Sequence, residues 1–223
     1  IAALWRAAAA ANHGLIAGYS GRSLTWYMAA SEAATVALNV RMIEYIGTDI
    51  SDGSVAVEML RPASVVAIRL ASETGQALGR LVALMGMGTL LCLLVVGAPP
   101  SWSGLALAAP ALVLAVMCNL AMQHAVAAAA FWTRDARTSW FLYQKFVFIL
   151  GGMLLPLEIL PTAVHHVALA LPFMAMSYVP ARLASGHPDL ALMGLQVLWL
   201  TVAIGAAVAA FGAGQRRLQV VGG

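Results

Sequence analysis

The apolar stretch "LVALMGMGTLLCLLVVG", Leu81 to Gly97, is the clearest structural signal in this sequence. It contains no charged residue, and Pro99 and Pro100 follow its end. A run of this length and composition, preceded by a helix of mixed polarity, is typical of a membrane-spanning helix. The other segments can therefore be judged as spans and as the loops between them.

The composition of the whole chain has the same character. Apolar residues make up 62% of the 223 residues and charged residues 9%, against about 45–50% and about 25% in soluble domains. We therefore predict an integral membrane protein in which residues 1–223 form a single transmembrane domain. The net charge of +3 comes from scattered basic residues, so membrane lipid is an expected partner and nucleic acid is not.

Further apolar runs predict an all-α, six-span helical bundle. The opening "IAALWRAAAAA" is about half of a crossing, so we expect it to be the end of a truncated first span. The other expected spans are Ser23–Val40, the run ending at Gly97, Gly104–Ala130, Phe146–Leu160 extended back to Trp140, and Leu190–Gly214.

The distribution of basic residues predicts the orientation, because cytoplasmic loops are enriched in Lys and Arg. The residues assigned to the cytoplasmic side are Arg41, Arg61, Arg69, Arg80, Arg134, Arg137, Lys145, Arg216 and Arg217. Arg22 and Arg182 fall on the opposite side. Residues 41–64 are thus expected in the cytoplasm, and the turn Pro99–Ser103 outside.

The longest cytoplasmic loop is "RMIEYIGTDISDGSVAVEMLRPAS", Arg41 to Ser64. Met42, Ile46 and Ile50 recur every four residues, which predicts an amphipathic helix. Asp52-Gly53 is expected to break it. A second short helix from Ser54 should end before Pro62, because proline disfavours helical conformation in the residue before it.

Polar residues inside the expected spans are costly unless they are paired or face a cavity. Glu32, Thr35 and Asn39 are predicted to share one helix face, and Asn119 and Gln123 are one turn apart. These five residues are candidates to line a substrate path. Hydrogen bonding between helices of the bundle is the alternative.

Proline residues interrupt the apolar segment before the last span, at Pro156, Pro161, Pro172 and Pro180. Each removes a backbone donor and disfavours a continuous helix. A full crossing here would also place the C-terminal Arg216-Arg217 outside. We therefore expect residues 157–188 to form an extracytoplasmic re-entrant segment of short helices.

Several kinds of chemistry are not expected. The phosphate-binding loop of ATPases is absent, since Lys145, the one lysine, follows Gln144. His165 and His166 diverge by about 100° on a helix and cannot share a metal ion. Neither a catalytic residue, nor a cofactor, nor a metal site is therefore assigned.

Ile50, Gly53, Leu60 and Pro62 form a pattern that, together with the order of spans, resembles the membrane (permease) subunits of bacterial type-two ATP-binding-cassette exporters. The resemblance implies a multi-pass protein of the bacterial cytoplasmic (inner) membrane. It also implies a second permease subunit, identical or related, and separate ATPase subunits that bind ATP and Mg. It does not imply a particular transported substrate.

The resemblance also implies roles for two segments. Residues 41–64 would be the coupling segment that docks on an ATPase subunit, and the re-entrant segment would cap the exit of the path. The implied docking residues are Asp49, Ile50, Asp52, Gly53, Glu58, Leu60, Arg61 and Pro62. The implied outer gate is Glu158 with Phe173, Met174 and Met176.

Two other classes of function stay open at this stage. An ion-coupled secondary carrier could use Glu32 as its ion or proton site. A rhomboid-like intramembrane serine protease could use Ser20 of "GYSG" with His124 as its base. Copurification with an ATPase would separate the exporter from both.

Overall fold

The computed structural model of the protein describes residues 7, 14–39, 41–58, 64–133 and 136–221. Its α-helices in these ranges are α1 (Gly21–Val36), α2 (Met42–Ser51), α3 (Ser54–Glu58), α4 (Val65–Val95), α5 (Trp102–Ala127), α6 (Ala130–Thr133), α7 (Arg137–Leu150), α8 (Thr162–Leu169), α9 (Tyr178–Ala184) and α10 (Leu190–Val221). Two 3₁₀ helices cover Leu157–Ile159 and Pro172–Ala175. Strands β1 (Leu15–Ile16) and β2 (Tyr19–Ser20) form an antiparallel hairpin before α1.

Three stretches of the described chain are long and apolar enough to cross a membrane: Val65–Val95, Trp102–Thr133 and Leu190–Arg217. They support the prediction of an all-α membrane protein. Helices α1 and α7 are shorter, with 16 and 14 residues. At about 1.5 Å per residue they measure roughly 24 and 21 Å, less than the hydrocarbon core of about 30 Å.

Both short helices end earlier than the sequence predicted. Helix α1 ends at Val36 rather than at Val40, and α7 ends at Leu150 rather than at Leu160. Gly152 follows α7 with a φ of +69°, a conformation that favours glycine. The Tyr27 hydroxyl donates to the Gly152 carbonyl at 2.5 Å, and this fixes the turn from across the bundle. The predicted helix through to Leu160 is therefore wrong in its second half.

Helix α5 lies at the centre of the fold. Within the described residues it packs against α1, α2, α4, α7, α9 and α10, and also against the second 3₁₀ helix. Its buried positions include Ala108, Ala111, Ala115 and Ala121, and such small side chains let neighbouring helices approach closely. The opposite faces of α4 and α10 expose large apolar residues such as Val82, Leu94 and Leu198, as lipid-facing surfaces do.

The segment between α7 and α10 is broken into short helices, as predicted. Pro156 precedes the first 3₁₀ helix, Pro161 precedes α8, and Pro172 begins the second 3₁₀ helix. Pro180 lies in the first turn of α9, where its missing N–H costs no helical hydrogen bond. The prolines thus mark where helices begin.

Candidate functional site

A cavity of about 230 Å³ lies between α1, α5 and α7 and is called here the path cavity. It contains four of the five residues predicted for the substrate path: Thr35, Asn39, Asn119 and Gln123. Trp140, Tyr143 and Phe148 of α7 supply aromatic walls. The structure therefore brings together polar residues that lie eighty or more positions apart in the chain.

Glu32 lies elsewhere. It lines a groove of about 360 Å³ between α1 and α4, together with Thr25, Leu84 and Met87. The predicted common face of Glu32, Thr35 and Asn39 is wrong, because α1 ends at Val36 and Asn39 is no longer helical. The Asn39 side chain instead accepts a hydrogen bond from the backbone N–H of Arg41 at 3.0 Å.

Asn119, Gln123 and Tyr143 form a buried hydrogen-bonded group, the amide cluster. The Oδ1 atom of Asn119 accepts from Gln123 Nε2 at 3.0 Å and from the Tyr143 hydroxyl at 2.6 Å. Asn119 and Gln123 are only 2% and 6% exposed. Interhelical hydrogen bonding, the alternative to a path, is thus present between α5 and α7, and the same residues still face the cavity.

The predicted gate residues lie against this cluster. Phe173 contacts Tyr143 with ring centroids 6.1 Å apart, and the Met176 sulfur lies 3.4 Å from the Tyr143 hydroxyl. Met174 and Met176 are fully buried, and Phe173 is partly buried. Tyr143 therefore lines the path cavity and also contacts the predicted gate residues Phe173 and Met176.

Glu158, the fourth gate residue, has a different setting. Its Oε1 atom accepts from Tyr19 at 3.1 Å and from Tyr178 at 2.7 Å, and it forms an ion pair with Arg182. Burial, and then the nearby Glu158 carboxylate, raise the pKa of Tyr19 above its usual range. Glu158 thus ties the β-hairpin and α9 to the first 3₁₀ helix.

The coupling segment, residues 41–64, has the two helices that its sequence predicted, α2 and α3. Met42, Ile46 and Ile50 are buried on one face of α2. Gly53 has a φ of +83° and separates the helices. Asp52 accepts from the Ser54 backbone N–H at 3.0 Å, and this hydrogen bond lowers the pKa of Asp52. Leu60, Arg61 and Pro62 lie outside the described residues.

Two of the acidic residues predicted to dock on the ATPase, Asp49 and Glu58, form ion pairs with one arginine of this chain. Arg69, in the first turns of α4, lies 2.7 Å from Asp49 of α2 and 2.8 Å from Glu58 of α3. The arginine is 13% exposed and each carboxylate 38% exposed. One guanidinium therefore fastens both helices of the coupling segment to α4.

A second attachment joins α2 to the start of α7. A Cβ added at Gly47 would overlap the Cβ of Ala136, the residue before α7. Glycine is needed here because the backbones pack too closely for any side chain. The coupling segment is therefore held both at α4 and at α7.

His124 of α5 faces Glu73 of α4, with 3.2 Å between Nε2 and Oε2. Its Nδ1 atom lies 2.8 Å from the Leu120 carbonyl oxygen. Ser20, its partner in the protease alternative, caps α1 by accepting from the Ser23 backbone N–H at 3.1 Å. Neither residue contacts the other within the described chain, so the structure offers no serine–histidine pair there.

Sequence reasoning missed Tyr143, Arg69, Glu73 and Arg182 as members of these clusters. Arg69 and Glu73 are one helical turn apart in the mixed-polarity part of α4, so a charge in that position was a usable signal. Tyr143 gave none, because an aromatic residue in a span commonly packs without a specific partner.

Residues 4–222, nearly the whole chain, match the family described as ABC-2 family transporter protein. No curated protein and no solved structure matches the chain. The match agrees with the helical membrane fold and with the resemblance drawn from the coupling segment. The chain therefore belongs to the ABC-2 family of transporter proteins and is a transmembrane ABC transporter permease.

Proposed function

We propose that this chain forms half of the translocation path of an exporter and is driven by a separate ATPase subunit. That subunit would bind ATP and Mg, and this chain would bind neither. The observation that carries the proposal is the coupling segment: two helices fastened to α4 and α7, with an outer face left exposed. Such a rigidly held element can pass on a displacement, whereas a loosely held loop would absorb it.

The exposed face suits a protein partner. Tyr45 on α2 is 55% exposed, and Val57 on α3 is 69% exposed. Beside Tyr45, a groove of about 370 Å³ also contains Arg41 and Glu44. Exposed aromatic and apolar side chains bordered by charges are typical of binding surfaces. Asp49 and Glu58 would stabilise this surface from within, and Asp52 would cap α3.

The remaining features complete the proposed exporter. It would have six spans, five of them α1, α4, α5, α7 and α10, with residues 157–188 re-entrant from the outer side. The expected truncated first span, residues 1–11, lies outside the described residues except for Ala7. The second half of the path would come from an identical or related permease in the bacterial cytoplasmic membrane. Glu158, Phe173, Met174 and Met176 would close the outer end of the path cavity.

The central test is reconstitution with the ATPase that copurifies with the chain. We expect no ATP hydrolysis by the chain alone, and stimulation of the ATPase when both are in one liposome. Tyr45→Ala should weaken ATPase binding by about tenfold or more, as buried tyrosines at interfaces do. Leu15→Ala is the matched control, since Leu15 is 54% exposed but lies in the hairpin.

Two results would contradict this proposal. One is equal loss of ATPase binding in the Tyr45 and Leu15 variants, which would remove the coupling segment as the docking surface. The other is transport by the chain alone that follows an ion gradient and ignores ATP, which would favour the secondary carrier.

Orientation gives an independent prediction. Ala56 in α3 and Ala98 after α4 are both exposed alanines, so Ala56→Cys and Ala98→Cys form a matched pair. An impermeant maleimide should label Cys at position 98 in intact cells and at position 56 only after permeabilisation. The parent chain is the background control, because Cys92 and Cys118 are buried. The reverse pattern would invert the proposed topology.

A further inference from the structure

The amide cluster keeps unused hydrogen-bonding atoms. Asn119 Oδ1 already accepts two hydrogen bonds. Asn119 Nδ2 and Gln123 Oε1 make no hydrogen bond to any described residue, although both side chains are more than nine-tenths buried and line the path cavity. A donor and an acceptor on two adjoining, hydrogen-bonded side chains of a cavity wall are complementary to the carbonyl and N–H of an amide.

The rest of the cavity wall is uncharged. None of its described lining residues is Asp, Glu, Lys, Arg or His, and Trp140, Tyr143 and Phe148 provide aromatic surface. A charged group placed here would lose its hydration without gaining an opposite charge. The volume of about 230 Å³ is large enough for a ring system.

We infer that the path cavity binds an uncharged, amide-bearing aromatic or branched apolar group, with the amide on Asn119 and Gln123. The inference deepens the proposed function, since it gives the chemical class of the part of the cargo that passes this point. It selects against carboxylates and against ammonium groups of the same shape. Binding itself requires no ATPase, so it can be measured on the permease alone.

Three probes of matched shape test the charge selection: naphthalene-2-carboxamide, 2-naphthoate and 2-naphthylmethylammonium. Equilibrium binding of each radiolabelled probe is measured to the full chain in nanodiscs, with binding to empty nanodiscs subtracted. We expect saturable binding of the carboxamide, at least about tenfold tighter than either charged probe, because burial of an uncompensated charge opposes binding.

Asn119→Asp tests the assigned contact without removing the cluster. The aspartate keeps an oxygen that accepts from Gln123 and Tyr143, and these two donors favour its ionised form. We expect the affinity for the carboxamide to fall about tenfold and the ammonium probe to become the preferred one. Glu32→Gln, in the separate groove, is the control and should leave the order of the three probes unchanged.

Equal affinities for the three probes, a preference of the parent chain for a charged probe, or no saturable carboxamide binding would each overturn the inference. If Asn119→Asp leaves the order of the three affinities unchanged, the ligand amide does not contact Asn119. Stimulation of the ATPase uses none of these probes. The proposed function can therefore stand when this inference fails, and the reverse also holds.

Discussion

Replacing Arg69 by glutamate is expected to abolish stimulation of the ATPase and to lower the stability of the chain. The substitution places a third negative charge beside Asp49 and Glu58, which Arg69 now holds at 2.7 and 2.8 Å. Loss of the three charged hydrogen bonds, one to Asp49 and two to Glu58, should lower the free energy of unfolding by about 1–3 kcal/mol, allowing for the exposure of both carboxylates. Thermal unfolding in detergent measures this without any partner.

A charge swap separates two roles for these acidic residues. If Asp49 and Glu58 act by anchoring the coupling segment, then Arg69→Glu combined with Asp49→Lys and Glu58→Lys should recover much of the lost stability and stimulation. If instead they contact the ATPase, the triple variant should recover stability but remain inactive. Arg80→Ala is the control on the same helix, because Arg80 forms no ion pair with the described residues. An Arg69→Glu chain as stable as the parent would contradict the anchor.

The pair Glu73–His124 is the second site where a large effect is expected. The Leu120 carbonyl can only accept, so His124 Nδ1, 2.8 Å away, carries a proton. Nε2 then faces Glu73 at 3.2 Å, and the histidine is completely buried. Neither atom has a hydrogen bond of good geometry to a described residue, so the short contact with each other is what offsets their burial. The pair is therefore a buried polar contact between α4 and α5.

Glu73→Leu should leave the buried Nε2 atom of His124 without a polar neighbour and lower the free energy of unfolding by about 1–3 kcal/mol. Glu73→Gln should be close to the parent, because its amide N–H can donate to Nε2. The double variant Glu73→Leu with His124→Leu completes a cycle, and it should lose less than the sum of the two single changes. Additive losses in thermal unfolding would show that the two side chains do not interact.

Local signals made the coupling segment predictable. The four-residue recurrence of Met42, Ile46 and Ile50 matches the buried face of α2, and Asp52-Gly53 ends that helix as expected. The prolines between α7 and α10 likewise stand where short helices begin. In each case the deciding interaction lies within a few residues of the chain.

Long-range contacts set the features that the sequence did not predict. Arg69 meets residues 20 and 11 positions away, and Tyr27 fixes Gly152 from 125 positions away. The periodicity of apolar residues in a sequence does not predict such contacts. Of the five expected path residues, Asn119 and Gln123 could be placed together by helical spacing, because they are one turn apart on α5. Their meeting with Thr35 and Asn39 depends on how α1 and α5 pack.

The close packing of Gly47 on Ala136 brings α2 within a short distance of the path cavity. Helix α7 begins at Arg137, directly after this contact, and its residues Trp140 and Tyr143 line the path cavity. Tyr143 is seven residues from Ala136, or roughly 10 Å along a helix. Because no space for even a methyl group remains at Gly47, a displacement of α2 towards Ala136 would also displace Ala136. In the proposed exporter, two turns of one continuous helix, α7, would join the coupling segment to the cavity wall.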